Sequence, residues 1–188
     1  MSILKVASMG HPVLRLKAKP LKKSELASDD IRRLAADMLE TMREYDGVGL
    51  AAPQVHASVR LVVVGSETNP RYPGAPMIPV RILVNPVVTP LTDELIKWWE
   101  GCLSVPGLRG LVVRPRKVRV RALDISGAPM SFTAEGFEAV IVQHETDHLD
   151  GFLYPDRMKN IRKLVFEREY GRFHEPDDDD KDGGKTEA

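Results

Sequence analysis

The chain has 188 residues, of which 43% are hydrophobic and 29% charged, a balance that indicates one globular domain and excludes a collagen-like or wholly disordered chain. No apolar run approaches the roughly 18–20 residues of a membrane-spanning helix, so we expect no membrane contact. The net charge is zero, but residues 175–188 carry −5 and the remainder +5. This small excess does not predict DNA binding. We expect one domain over residues 1–174 and an acidic, disordered tail over 175–188.

The first half of the sequence predicts one helix and two strands. Apolar residues recur at helical spacing over residues 28–44, with Ser28 as N-cap and Gly47 at the end. β-branched residues predict strands over 59–65 and 80–85, separated by a proline-rich loop over 69–79.

The second half adds a hairpin and two further helices. Alternating apolar residues predict a strand over 117–123 and a return strand over 130–134. Helical patterns follow over 137–150, ended by Gly151, and over 160–170. Strands with a helix inserted among them favour an α+β fold with mostly antiparallel sheets.

The predicted helix over 137–150 contains the sequence His-Glu-Thr-Asp-His at 144–148. Residues four apart differ by about 40° around a helix, so His144 and His148 can share one metal ion, with Glu145 at the flank within reach of a water molecule. Three apolar residues lie on the same face: Phe137, Val140 and Ile141. Because these histidines face apolar surroundings, the pattern predicts a metal site.

Cys102 is the natural third ligand, because a catalytic tetrahedral site takes three protein ligands and leaves one position for water. It is the only cysteine, which fits a reducing compartment. Gly101 before it allows a close backbone approach, and Pro106-Gly107 predicts a turn after it. The remaining histidines show no ligand spacing and are interpreted as surface residues: His11, His56 and His174.

A segment of small residues, Gly-Val-Gly-Leu-Ala-Ala-Pro-Gln-Val at 47–55, follows the first helix. Small residues allow a backbone to lie against a ligand, although the segment also suits an ordinary helix end and connecting loop. It lacks the lysine and hydroxyl residue of a phosphate-binding loop.

Together, the three segments resemble the peptide deformylase family. Residues 47–54 are similar to its G-x-G-L-A-A-x-Q motif, 100–104 to E-G-C-L-S, and 143–149 to Q-H-E-x-D-H-L. Their order and separations match as well, and the resemblance covers roughly residues 3–165.

The resemblance implies a single metallohydrolase domain, with mostly antiparallel sheets packed around a central metal-binding helix. Its implied activity is removal of the formyl group from the N-terminal formylmethionine of newly made polypeptides. It implies Cys102, His144 and His148 as ligands of one divalent ion, and attack by a metal-bound hydroxide with Glu145 as proton carrier. The expected ion is Fe²⁺, for which Zn²⁺, Ni²⁺ or Co²⁺ can substitute. Gln54 and the main-chain N–H of Leu103 would stabilise the oxyanion. The implied substrate-binding residues are Val48, Gly49, Leu50, Arg109, Phe137, Val140 and Ile141.

The implied partners are N-formylmethionyl nascent peptides and, through the basic segment 157–172, the ribosome. The residues around the cysteine motif, Trp98-Trp99 before it and 105–110 after it, are closer to the deformylases that include organellar forms. No signal or transit peptide pattern precedes the domain, so we expect a bacterial cytoplasmic protein, with a processed organellar form as the alternative.

Three other interpretations stay open at this point. A zinc peptidase shares the His-Glu-x-x-His pattern, but Asp150 and Asp156 do not repeat its usual downstream ligand. A structural zinc site would need a fourth protein ligand, for which His56 is the candidate. A deformylase-like binding protein without chemistry would not require Glu145 and Gln54.

Overall fold

The computed structural model describes residues 2–66 and 76–174. The strands are β1 Gly49–Ala51, β2 Leu61–Ser66, β3 Ile78–Pro90, β4 Leu95–Cys102, β5 Val105–Pro115, β6 Lys117–Leu123, β7 Pro129–Glu135 and β8 Leu164–Phe166. The α-helices are α1 Lys23–Leu26, α2 Asp29–Glu44, α3 Phe137–Leu149, α4 Tyr154–Arg157 and α5 Glu167–Phe173.

The strands form two antiparallel sheets on either side of α3. One sheet has the order β1-β2-β3-β6-β7, and the other β4-β5-β8. Nine of the thirteen residues of α3 are buried, because the helix packs between strands of both sheets. The predicted α+β class with mostly antiparallel sheets is confirmed. Within the described residues, no helix has the length and apolar character needed to span a bilayer.

Both long helices end in a left-handed residue that satisfies the last carbonyl groups. In α3 this residue is Gly151 (φ 81°), as the sequence predicts. In α2 it is Asp46 (φ 50°), one residue before the predicted Gly47. The Gly47 N–H then donates to the Met42 carbonyl at 2.8 Å. At the other end of α2, the Ser28 hydroxyl caps the helix by accepting from the Ile31 N–H.

The predicted strands correspond to β2, β3, β6 and β7, but β3 is longer than expected. It begins at Ile78, inside the predicted loop 69–79, and continues to Pro90. A bulge between Val84 and Val87 shifts its register on β6, and the second half of β3 pairs with that strand alone. Residues 69–75 of the predicted loop and the predicted acidic tail lie outside the described residues.

Two sequence predictions near the second sheet are wrong. Residues 160–170 do not form one helix: Leu164–Phe166 is strand β8, and α5 begins only at Glu167. The reason is tertiary, because β8 pairs with the edge of β5 through Leu108 and Arg109. Pro106-Gly107 does not turn the chain but lies within β5, and the turn consists of Leu103 and Ser104.

The N-terminal segment is bound to all three motif segments by main-chain hydrogen bonds. The bonds are Ala7 N–H to Gln54 O (2.7 Å), Met9 N–H to Ser104 O (2.7 Å) and Ala18 N–H to Leu149 O (2.8 Å). Each bond joins this segment to a different motif, so the segment holds the three motifs in one arrangement.

Candidate active site

A cysteine and two histidines converge at the centre of the molecule. Cys102 lies at the end of β4, and His144 and His148 lie one helical turn apart on α3. Their ligand atoms all lie within 4.8 Å of one another, with Cys102 Sγ 3.3 Å from His148 Nε2. These separations and this donor set fit one tetrahedral ion with a position left for water. Within the described residues no fourth ligand joins the group.

The two histidines differ in their surroundings and in the direction in which these shift the pKa of each ring. His144 Nδ1 lies 2.7 Å from Glu100 Oε2, so the Nε2 atom is left for a metal. Burial lowers the pKa of His148 well below its usual value and keeps the ring neutral. Burial also acts to lower the pKa of His144, but its interactions with Cys102 and Glu100 outweigh this and raise it.

Glu145 is buried beside the cysteine–histidine cluster. Its Oε2 atom has no hydrogen-bond partner among the described residues. Burial, with the nearby charge of Glu100, raises the pKa of Glu145 to about 7. Its carboxylate occupies the space that a side chain at Gly49 would fill, because a Cβ atom there would lie 2.5 Å from Oε1.

Gln54 lies in a short 3-10 turn, Ala52–Val55, directly after β1. Its Oε1 accepts the Ala51 N–H at 2.8 Å, which fixes the amide orientation. The Nε2 group then donates to Ser104 Oγ at 3.2 Å and faces Cys102 Sγ at 3.5 Å. An amide donor is thus held against the cluster, and the segment is more than a connecting loop.

A cavity of about 460 Å³, including the part open to solvent, lies beside these groups. The sequence-predicted residues on its wall are Val48, Gly49, Gln54, Cys102, Leu103, Phe137, Val140, Ile141, His144 and Glu145. Trp98 also lines the cavity and stacks on Phe137, with 5.0 Å between the ring centroids. The sequence did not predict this role. A bulky residue two positions before Glu100 on a strand was the available signal.

Two sequence-predicted substrate-binding residues lie outside this wall. Leu50 is fully buried and belongs to the apolar cluster around α2. Arg109 is buried beneath α5, where Nη2 contacts Glu167 Oε1 at 2.9 Å and the guanidinium lies over the Tyr170 ring. His56 pairs edge-on with His11 at 4.7 Å and is not part of the metal-ligand group, so it supplies no fourth ligand.

Glu100 and Arg114 are two functional residues whose roles the sequence did not indicate. Their side chains form a buried ion pair through two hydrogen bonds, at 2.5 and 2.9 Å. Burial raises the pKa of Glu100, but Arg114 outweighs this and lowers it, so the carboxylate that orients His144 stays ionised.

A buried carboxylate, a fixed amide donor and a cysteine–histidine cluster on one wall of an open cavity define the site of a hydrolytic enzyme. Residues 3–164 match the family described as polypeptide deformylase. The chain belongs to this enzyme family, which confirms the resemblance found in the three motifs.

Individual relatives agree with this assignment. The peptide deformylase of Leptospira biflexa is 47% identical over 163 residues, which cover 86% of this chain and 91% of the relative. Peptide deformylase 1 of Bordetella pertussis is 49% identical over 161 residues, covering 86% and 90%. The class I type b peptide deformylase of Acinetobacter baumannii, solved with Met-Ala-Ser bound, has a TM-score of 0.81 at 45% identity and covers 84% of this chain and 100% of that chain.

Proposed function

We propose that this chain hydrolyses the formyl group from the N-terminal formylmethionine of newly made polypeptides and that the reaction depends on a metal ion. The observation that carries the proposal is the placement of Glu145 and Gln54 beside Cys102 and His144 in the lining of one cavity, the rest of which is largely apolar. The similar Acinetobacter enzyme was solved with Met-Ala-Ser, a peptide that begins with methionine.

Cys102, His144 and His148 would hold the ion. A thiolate with two imidazoles suits first-row ions of soft or borderline character, and we propose Fe²⁺ as the resident ion, replaceable by Zn²⁺, Ni²⁺ or Co²⁺. When bound, such an ion would polarise the formyl carbonyl and make water a better nucleophile near neutral pH. Glu100 orients the ligand His144 through the bond to its Nδ1 atom.

Glu145 would carry the proton. Its buried Oε2 atom has no competing partner in the described structure and can accept a proton from the attacking water. The same carboxyl group can then deliver that proton to the amine that leaves.

Gln54 and the Leu103 N–H would bind the oxygen on which negative charge develops. Gln54 is preorganised because its Oε1 is already engaged by the Ala51 N–H. Leu103 lies in the two-residue turn between β4 and β5, on the cavity wall. Removal of one such donor typically lowers the rate by about 10²–10³-fold.

The methionine side chain would enter the apolar part of the cavity. This part is lined by Val48, Trp98, Phe137, Val140 and Ile141. An unbranched thioether fits such a surface well. The main chain of Gly49, the first residue of the edge strand β1, would pair with the substrate backbone.

We also propose that the protein acts in the bacterial cytoplasm and contacts the ribosome through its C-terminal basic segment. Arg168 and Arg172 are exposed on α5, and Phe173 beside them is exposed as well. Co-sedimentation with ribosomes that weakens with added salt would support this contact, and its absence at every salt concentration would exclude it.

The zinc-peptidase alternative finds no support in the geometry. Asp150 is paired with Arg60 at 2.8 Å, and Asp156 is paired with Arg15, so neither belongs to the metal-ligand group. Replacing Cys102 by Ala tests this directly, because a peptidase would keep its metal and a deformylase would lose it.

The central experiment measures formate released from formyl-Met-Ala-Ser by anaerobically purified protein with its metal counted. Glu145→Gln should lower kcat by about 10²–10⁴-fold while the metal is retained. Glu138→Gln is the matched control, because Glu138 lies on the same helix but pairs with Arg81 away from the cluster. A fully metallated wild type that releases no formate would refute the proposal.

A further inference from the structure

A continuous chain of charged side chains runs from the metal-ligand group to the protein surface. Glu100 binds His144 on one side and Arg114 on the other. The remaining terminal nitrogen of Arg114 donates to Asp147 Oδ2 at 2.9 Å. Arg157 completes the chain with two bonds to Asp147, at 2.6 and 3.1 Å.

Together with the main chain, these side-chain contacts form a closed ring between one helix and one hairpin. His144 and Asp147 both belong to α3, whereas Glu100 and Arg114 belong to β4 and β5. The hairpin formed by these strands also carries Cys102, two residues after Glu100. The helix carries both histidine ligands, so the ring holds together the two elements that supply the metal-ligand group.

The exposed fractions of these side chains show that Arg114 is the member of the ring that most needs its partners. The side chains of Glu100 and Arg114 are only 3% and 6% exposed, whereas those of Asp147 and Arg157 are 13% and 42% exposed. A buried guanidinium is costly unless it is paired and hydrogen-bonded. Glu100 occupies two nitrogens of Arg114, and Asp147 occupies the third.

We propose that Asp147 is a positioning residue for the metal site. By holding Arg114, it keeps the β4–β5 hairpin against α3 at the spacing at which Cys102 meets His144 and His148. Arg157 supports Asp147 from α4. The inference rests on the metal site of the proposed function, but it concerns residues that contact neither metal nor substrate.

Asp150 provides a control of matched charge on the same helix end. It is the C-cap of α3 and binds Arg60 at 2.8 Å. Arg60 directly precedes β2 and lies outside the β4–β5 hairpin. Loss of this carboxylate therefore removes an ion pair of α3 without loosening the hairpin that carries Cys102.

The test measures the Zn²⁺ dissociation constant of the full chain by competition with a chelator, under anaerobic conditions. Residues that orient a ligand typically change metal affinity by about 10–100-fold, and Asp147 acts one bond further out. Asp147→Asn should therefore weaken Zn²⁺ binding by about tenfold. Asp150→Asn should remain within about twofold of the wild type. Thermal unfolding of the metal-free proteins separates this effect from a general loss of stability.

The outcomes separate the inference from the function on which it rests. If the wild type does not bind Zn²⁺, or if Cys102→Ser binds it as tightly, the proposed metal site fails. If the wild type binds Zn²⁺ and both asparagine variants have the same affinity, only the role of Asp147 is refuted. If Asp147→Asn does not fold, Arg157→Ala provides the test, because loss of this partly exposed side chain should destabilise the fold less. We expect about threefold weaker binding in that variant, and unchanged affinity would refute the inference.

Discussion

Replacing Gly49 by Ala should displace the Glu145 carboxylate and leave the other groups of the site in place. A Cβ atom at position 49 would lie 2.5 Å from Glu145 Oε1 and 2.6 Å from its Cγ. Ordinary contact begins at 3.4 Å, so the carboxylate has to move by about 0.9 Å. The backbone of Gly49 is held in place by its pairing with Val64 in β2, so the side chain is the part that moves more easily. A misplacement of about 1 Å can lower a rate by about 10²-fold.

The assay is formate release from formyl-Met-Ala-Ser at equal metal content. Gly49→Ala should lower kcat by about 10²-fold and change KM much less, because the main-chain groups that would meet the substrate are retained. Gly47→Ala is the matched control on the same cavity wall, since its Cβ would meet Met42 at 3.2–3.3 Å and needs only a small adjustment. A Gly49→Ala enzyme whose kcat is within threefold of the wild type would refute the reasoning.

Three further predictions concern stability. Met38 is fully buried in the cluster around α2, so Met38→Ala should lower the free energy of unfolding in urea by about 2–5 kcal/mol; a loss below about 1 kcal/mol would contradict the assigned packing. Asn85 adopts φ 50° and binds both the N–H and the carbonyl of Leu21, so Asn85→Ala should cost about 1–3 kcal/mol, with Asn85→Asp retaining part of it. Burial raises the pKa of Asp156, but hydrogen bonds from Arg15 and a main-chain N–H outweigh this and lower it. Its ionised form therefore stabilises the fold above the pKa of the unfolded chain, and this contribution disappears as the pH falls through the folded-state pKa. Asp156→Asn should flatten the acid side of the stability–pH curve, and an unchanged curve would contradict the assignment.

The sequence predicted those elements whose own periodicity determines them. Helix α2 has one buried stripe and strand β6 alternates between buried and exposed residues, and both patterns are visible without a partner. Helix α3 is buried on most sides, so the glycine at its end was the clearer signal. Strand β8 has no such pattern, because its three residues are extended only through pairing with β5. The left-handed residue after α2 is Asp46 and not the predicted Gly47, because an aspartate can also adopt this conformation.

The residues of the candidate site likewise fall into those that sequence spacing predicts and those that only the tertiary fold brings together. His144 and His148 could be paired from helical spacing alone, and Cys102 was the natural third ligand. Arg114 could not be found, because its two carboxylate partners lie 14 and 33 residues away and no periodicity links them. Leu50 shares its motif with Gly49, but strand alternation turns its side chain into the core and away from the cavity.

The hydrogen bonds of the N-terminal segment have a consequence for how the enzyme is made. Ala7, Met9 and Ala18 are synthesised before the residues that they bind, which extend to Leu149. The N-terminal segment can therefore complete its contacts only after Leu149 has been synthesised and has left the ribosome. Such distant pairing slows folding, because chain entropy is lost before the contact is gained. During its own synthesis this enzyme passes through an interval in which its first two motifs exist but its active site does not.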